Sequence, residues 1–158
     1  MQQLEMIQEC TIKFRQTALN LFKAEAKNAA IVPPGWKNNM HWHLGHLIIT
    51  PYLLTHGLLQ EDLGELARYR ALFGKDSTPL NWRAEDNVPP YDALLEELMP
   101  RTEALFQNLE GKINQPFAAA YTTSPGVVLS TPLHALNFSQ THDGIHAGLL
   151  FALRRALR

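Results

Sequence analysis

The 158-residue sequence has few of the features that suit a protein to a membrane, an oxidising compartment or a polyanionic partner. Its single cysteine, Cys10, cannot form an internal disulfide, and no apolar run approaches the roughly 18 residues of a membrane span. Its first ten residues lack the basic start and apolar stretch of a signal peptide. Fourteen Lys and Arg residues nearly balance 15 Asp and Glu residues, so no broad basic surface is expected. We therefore expect a cytoplasmic protein that binds neither nucleic acid nor membrane.

Several catalytic motifs are also missing. The chain has no glycine-rich phosphate loop, no Gly-x-Ser-x-Gly elbow and no His-Glu-x-x-His sequence. These absences argue against P-loop nucleotide hydrolysis, serine-type acyl transfer and zincin chemistry. The predicted helices that carry histidines also lack a Glu-x-x-His motif, which argues against a ferritin-like di-iron centre.

Apolar residues recur at helical spacing in four long segments, and almost no alternation of period two is found. The third segment runs from Tyr91 to Leu109, and the first runs from Leu4 to Ala24. The apolar stripe of the first consists of Leu4, Ile7, Phe14, Ala18 and Leu21. Four such faces bury one another in a bundle. We predict an all-α four-helix bundle that forms one domain over residues 1–158.

The second helix is predicted within residues 38–57, with Asn38 or Asn39 as its N-cap and a bend at Pro51. The polar, proline-bearing stretch 75–90 predicts a long crossover loop later in the chain. Residues 111–130 contain short apolar pieces between prolines and glycines, and the pattern there predicts only brief extended segments.

The last helix has a clear start, with Thr131 as the cap and Pro132 at the first helical position. A heptad pattern predicts which of its residues face the core. The predicted seam consists of Ala135, Phe138, His142, Ile145, Leu149, Ala152 and Ala156. Six of these seven are apolar, and His142 is the exception.

Seven histidines are the unusual feature of the composition. His142 lies in the predicted seam, His146 lies one turn further on, and His46 lies on the apolar stripe of the second helix. Burying an imidazole without a partner costs about 1–3 kcal/mol, so three inward-facing imidazoles need compensation. A divalent metal ion provides it, because His-x-x-x-His presents two nitrogens to one ion and a facing helix supplies the third.

Alternatives remain open at this point. His43, three residues before His46, can replace it or supplement it as a ligand. The histidines can instead donate to backbone carbonyls or lie at the surface, and we place His41, His56 and His134 at the boundary or surface. Three protein ligands leave a position for water or substrate, which is typical of a reactive site and not of a closed structural one.

Glycines and tryptophans carry secondary predictions. Gly45 and Gly144 stand beside the candidate ligands, which predicts a close approach of the two helix backbones at the site. Trp42 is predicted in the core, and Trp36 and Trp82 near the mouth of a pocket.

Three segments resemble a known family: NNMHWHLGHLIIT, RYRALFGKDSTP and HDGIHAGLLFALRRAL. They are similar to the second-helix motif, the following loop and the last-helix motif of the DinB-like superfamily of bacterial four-helix-bundle metalloproteins. The resemblance implies that His46, His142 and His146 are the metal ligands. The additional His41 and His43 depart from the family pattern and leave the fourth coordination position open.

The resemblance also implies a function. Several family members are thiol S-transferases that use bacillithiol, mycothiol or glutathione with a divalent metal, and dimers are common among them. The resemblance also leads us to expect a homodimer. The leading hypothesis is a metal-dependent transferase acting on a small-molecule electrophile, with zinc, nickel or iron as the ion. A second is a non-catalytic metal-binding or stress-response bundle whose ion is structural or sensory. A third is an interaction bundle without a metal.

Overall fold

Helices make up most of the computed structural model, which describes residues 2–158. Within that range the elements follow one another in the order α1 (Gln2–Ala24), α2 (Met40–Tyr52), α3 (Tyr69–Phe73), α4 (Tyr91–Asn108), β1 (Tyr121–Thr122), β2 (Val128–Leu129) and α5 (Pro132–Ala156). The two strands pair antiparallel with Tyr121 opposite Leu129, and they account for the extended pieces predicted between the last two long helices.

The four long helices α1, α2, α4 and α5 form the bundle. Helix α1 packs against α4 and α5, and α2 packs against the same two helices from the other side. Their apolar faces meet in one core around fully buried side chains such as Phe22, Met40, Leu44 and Leu98. The predicted all-α four-helix bundle is therefore confirmed.

Capping residues begin the two helices that carry the candidate ligands. The Asn39 side chain accepts a hydrogen bond from the Trp42 backbone N–H at 2.9 Å, so Asn39 is the N-cap of α2. The Thr131 side chain accepts from the His134 backbone N–H at 3.3 Å, and Pro132 occupies the first helical position of α5, as predicted.

Helix α2 does not end at its internal proline. Beyond Pro51 it continues into a wider π-helical turn, Leu53–Gly57, so helical backbone extends from Met40 to Gly57. Proline removes one backbone hydrogen bond and crowds the preceding turn, which favours a local departure from α-helical geometry. The loop predicted over residues 75–90 contains two single 3₁₀ turns, Pro79–Asn81 and Ala84–Asp86.

The predicted heptad seam of α5 is wrong, because most of the buried positions lie one residue further along the helix than the predicted ones. Ile145 is 59% exposed and Leu149 38% exposed, although both were expected in the core. The buried residues of α5 are Pro132, Ala135, Leu136, Ser139, Asp143, His146, Leu150 and Leu153. Counting apolar residues alone misplaced the face, because two polar side chains, Ser139 and Asp143, are buried with hydrogen-bond partners.

Helix α1 shows the same kind of error. Phe14, expected in the apolar stripe, is 46% exposed, and Arg15 beside it is only 1% exposed. The true inward line of this helix is Ile7, Thr11, Arg15, Ala18 and Phe22, which keeps the spacing of three or four residues. A buried arginine is uncommon unless it is paired, and its partners are described below.

The predicted close approach of helix backbones at the glycines is also wrong. A Cβ at Gly45 would lie 2.4 Å from ring atoms of Phe73, so this glycine makes room for an aromatic side chain. A Cβ at Gly144 would meet nothing within 4 Å. Gly45 therefore makes room for Phe73 of α3, and packing does not explain the glycine at position 144.

Candidate metal centre

Three imidazoles meet between α2 and α5. His46, His142 and His146 each place a ring nitrogen so that the three atoms lie within 4.8 Å of one another. His46 Nε2 lies 3.0 Å from His142 Nε2, and the ring of His146 has its centroid 4.7 Å from that of His46 and 4.4 Å from that of His142. His142 and His146 are one turn apart on α5, which places both rings on the side that faces α2.

The His46 ring is positioned by a hydrogen bond to Phe73 of α3 and by stacking on Trp42. Its Nδ1 lies 2.6 Å from the carbonyl oxygen of Phe73, and because a carbonyl can only accept, Nδ1 donates and Nε2 keeps its lone pair. Phe73 is the last residue of α3, where carbonyl groups have no partner inside the helix. Trp42 stacks on the His46 ring at 4.4 Å between centroids, and its Nε1 donates to Ser77 Oγ at 2.7 Å. Trp42 is buried, as predicted.

His43, the alternative ligand of the sequence analysis, contacts His146. The two Nδ1 atoms are 3.0 Å apart, so one ring donates to the other through these nitrogens. The three mutually close nitrogens are those of His46, His142 and His146, and His43 does not belong to that group. The structure thus brings together the three residues that the sequence singled out first.

His142 is the accessible member of the cluster. Its side chain is 16% exposed, whereas His46 and His146 are buried. Its Nδ1 is buried and has no hydrogen-bond partner among the described residues. The Oδ1 atom of Asp143 lies 3.6 Å from that nitrogen, beyond hydrogen-bond distance.

Burial keeps the imidazoles of His43, His46 and His146 neutral. Loss of hydration, followed by repulsion from His142, lowers the pKa of His46 to about 3 and the pKa of His43 to about 4. The same two causes, with the neighbouring His46 and His43 added, lower the pKa of His146. Near pH 7 these rings therefore present lone pairs, which is the form that binds a metal ion.

Next to the cluster, a buried arginine joins all four long helices. Arg15 of α1 donates from Nε to Asp143 Oδ2 at 2.8 Å, from Nη1 to Thr102 Oγ1 at 3.0 Å and from Nη2 to the Leu47 carbonyl at 2.8 Å. Burial opposes ionisation of Asp143, but the Arg15 charge and hydrogen bonds outweigh it and hold the pKa of that carboxyl below its usual value. The apolar periodicity of the sequence does not predict this ion pair.

A signal for Arg15 was present in the sequence. The residue follows Thr11 by four positions and precedes Ala18 by three, so it continues an inward line that a purely apolar count breaks. Its partner Asp143 directly follows a candidate ligand. A stripe drawn through apolar positions alone omits Arg15 and Asp143, because both residues are charged.

The remaining histidines divide into three kinds. His134 is exposed, as predicted, and the half-buried His41 donates from Nε2 to the Pro89 carbonyl at 2.9 Å. The prediction of a boundary or surface position is wrong for His56, which is 7% exposed. His56 packs beside Tyr52, and its Nδ1 lies 3.0 Å from Thr55 Oγ1. Its Nε2 is buried and has no hydrogen-bond partner among the described residues.

A family model of the DinB superfamily matches residues 13–150, a range that includes Arg15 and all three clustered histidines. The chain belongs to the DinB superfamily. Comparison with functionally curated proteins finds no match. Among the described residues, no helix has both the length and the apolar character needed to cross a membrane.

Proposed function

We propose that the protein binds one divalent metal ion through His46, His142 and His146 and acts as a transferase for a low-molecular-weight thiol. The observation that carries the metal site is the set of three ring nitrogens within 4.8 Å of one another. Two nitrogens bound to tetrahedral zinc at about 2.05 Å lie about 3.3 Å apart, and the 3.0 Å between His46 Nε2 and His142 Nε2 is close to that spacing. Three neutral imidazoles suit zinc, nickel or iron.

The donor set also fits the proposed reaction class. When bound, a divalent ion supplies a Lewis acid that keeps a coordinated thiol in its thiolate form. The chain contributes three ligands, which leaves a position for the thiol, and the exposed edge of His142 marks the side from which a small molecule enters. Trp42, stacked on His46, keeps water from the opposite side. Asp143 is bound to Arg15, so it is not a free general base.

One observation favours a second candidate function. His43 lies 3.0 Å from His146, close enough that a rearrangement of these two rings adds a fourth imidazole to the ion. Four protein ligands close a site and leave no position for substrate, which suits a structural or sensory ion. X-ray absorption of the metal-loaded protein distinguishes the two functions: three imidazoles with an exchangeable light atom support the transferase, and four imidazoles support the closed site.

The decisive experiment measures the metal content of the protein and then its rate of thiol transfer. Protein purified without an affinity tag is analysed for stoichiometric metal, titrated with Zn²⁺ and Ni²⁺, and assayed with bacillithiol, mycothiol or glutathione against a panel of small electrophiles. We expect His142→Ala to lose both metal and thiol transfer. The matched control is His134→Ala, an exposed histidine on the same helix, which should behave as the wild type. Equal metal affinity in His142→Ala and the wild type would contradict the site.

A further inference from the structure

Arg15 connects the residues that directly follow two of the proposed ligands. Its Nη2 donates at 2.8 Å to the carbonyl of Leu47, the residue after His46, and its Nε donates at 2.8 Å to Asp143, the residue after His142. Arg15 itself comes from α1, which contributes none of the proposed ligands. The guanidinium therefore ties α2 to α5 one residue away from two of the three nitrogens that would bind the ion.

His142 requires a partner on its outer nitrogen. A neutral imidazole carries one ring proton, so if Nε2, which faces His46, offers its lone pair to an ion, the proton must be on Nδ1. That Nδ1 is buried and has no hydrogen-bond partner among residues 2–158. An N–H left without an acceptor at this place would weaken the very form of the ring that binds metal.

Asp143 is placed to be that partner. Its Oδ2 takes the short bond from Arg15 Nε, and its Oδ1 makes only a 3.4 Å contact with Arg15 Nη2, so Oδ1 has a lone pair to spare. Oδ1 lies 3.6 Å from His142 Nδ1, and a small rotation of the partly exposed His142 ring brings this distance into the range of an N–H···O bond. The carboxylate cannot move to meet the ring, because Arg15 holds it in the core.

We propose that Arg15 and Asp143 are positioning residues of the metal centre. Arg15 sets the separation of α2 and α5 at the ligands, and Asp143 accepts a hydrogen bond from the Nδ1–H of His142 so that the lone pair of Nε2 faces the ion. This inference rests on the proposed metal site and adds two residues to it that touch neither ion nor substrate. Outer partners of this kind typically change metal affinity by about 10–100-fold when they are replaced.

The first test is Asp143→Asn. Because Arg15 has only donors, the asparagine oxygen turns towards Arg15 and the amide NH₂ faces His142 Nδ1. A donor at this place favours the imidazole form with its proton on Nε2, which cannot bind the ion through that atom. We expect the affinity for Zn²⁺, measured by competition with a chromophoric chelator, to fall about 10–100-fold. In Ser139→Ala, the matched control on the same buried face, it should stay within about threefold of the wild type, because the Ser139 hydroxyl bonds only to its own helix.

The second test removes the pair while keeping the core filled. In the double variant Arg15→Met with Asp143→Leu, apolar side chains replace a buried ion pair, a change that folded proteins tolerate. Circular dichroism and urea unfolding establish that the variant is folded, and we again expect a loss of Zn²⁺ affinity of about 10–100-fold. Long-range ¹H–¹⁵N spectra of zinc-loaded wild type should show the His142 proton on Nδ1, a signature that a purely structural role does not require.

The outcomes separate this inference from the proposed function. If wild type binds Zn²⁺ and His142→Ala does not, the metal site stands. If Asp143→Asn and the double variant then bind within threefold of wild type, or the zinc-loaded His142 carries no proton on Nδ1, the positioning role is overturned alone. If wild type itself does not bind Zn²⁺, the proposed function fails and this inference fails with it.

Discussion

Two polar clusters lie side by side in the bundle and differ in how well the protein satisfies them. Around Arg15, donors meet acceptors: a carboxylate, a hydroxyl and a backbone carbonyl surround one guanidinium. Around His46, ring nitrogens face other ring nitrogens, and one buried nitrogen of His142 has no partner among the described residues. The first cluster is complete with protein atoms alone. The second is incomplete with the described protein atoms alone.

The largest expected effect comes from breaking the complete cluster. Arg15→Ala leaves the Asp143 carboxylate buried without its counter-charge, so we expect the free energy of unfolding to fall by about 3–5 kcal/mol. Urea denaturation measures this change. Arg83→Ala is the control, since the Arg83 side chain is 76% exposed and its removal should change stability by less than about 0.5 kcal/mol. A loss for Arg15→Ala as small as the control's would mean that the pair contributes nothing.

A metal ion should complete the second cluster and stabilise the fold. At a free Zn²⁺ concentration 100 times the dissociation constant, linkage predicts a gain of about 2.7 kcal/mol in the free energy of unfolding. Unfolding curves of wild type and His46→Ala, each recorded with zinc and with a chelator, test this. The gain should be present in wild type and absent in His46→Ala, and a zinc effect of equal size in both would place the ion elsewhere.

Acid should weaken the second cluster and leave the first intact. The pKa of His46 is about 3 in the folded protein and near 6.5 in the unfolded chain, so the unfolded chain takes up a proton between these values that the folded protein does not. Stability of the metal-free protein should therefore fall as pH decreases from 6.5. The loss from His46 alone should reach about 2 kcal/mol at about pH 5. Asp143, whose pKa lies below its usual value, does not contribute in this window.

Chemical denaturation across this pH range, with a chelator present, measures how steeply the free energy of unfolding depends on pH. His46→Gln should unfold with a shallower dependence on pH than wild type, because one of the groups that takes up protons on unfolding is gone. A stability that stays level or rises on acidification from pH 6.5 contradicts the neutral state of the buried rings.

The smallest effect should come from removing one ring of the incomplete cluster. His142 is partly exposed, its Nδ1 makes no hydrogen bond and its Nε2 makes one, with His46 Nε2, so His142→Ala should change the stability of the metal-free protein by about 1 kcal/mol. Thermal or urea unfolding in chelator measures it. A loss comparable to that of Arg15→Ala would show that the imidazole cluster supports the fold without an ion.

Much of the candidate site was predictable from residue spacing. His142 and His146 are four residues apart on a helix with a clear N-cap, and His46 lies on the apolar stripe of α2, so their convergence needed only that the two helices face each other. The face of α5 was predicted less well. His142 stood in an apparent apolar seam, yet Ile145 and Leu149 of that seam are exposed, and the buried line passes through Asp143.

The sequence by itself determined the four amphipathic helices, the caps of α2 and α5 and the three histidines at helical spacing, because these depend on residues that are neighbours along the chain. The tertiary structure decided which side of α1 and α5 faces the core. It buried Arg15 against Asp143, placed the Phe73 carbonyl on His46 and set His43 behind His146. The physical reason is that burying a polar group is unfavourable unless a partner is present, and each of these partners comes from another element of the fold.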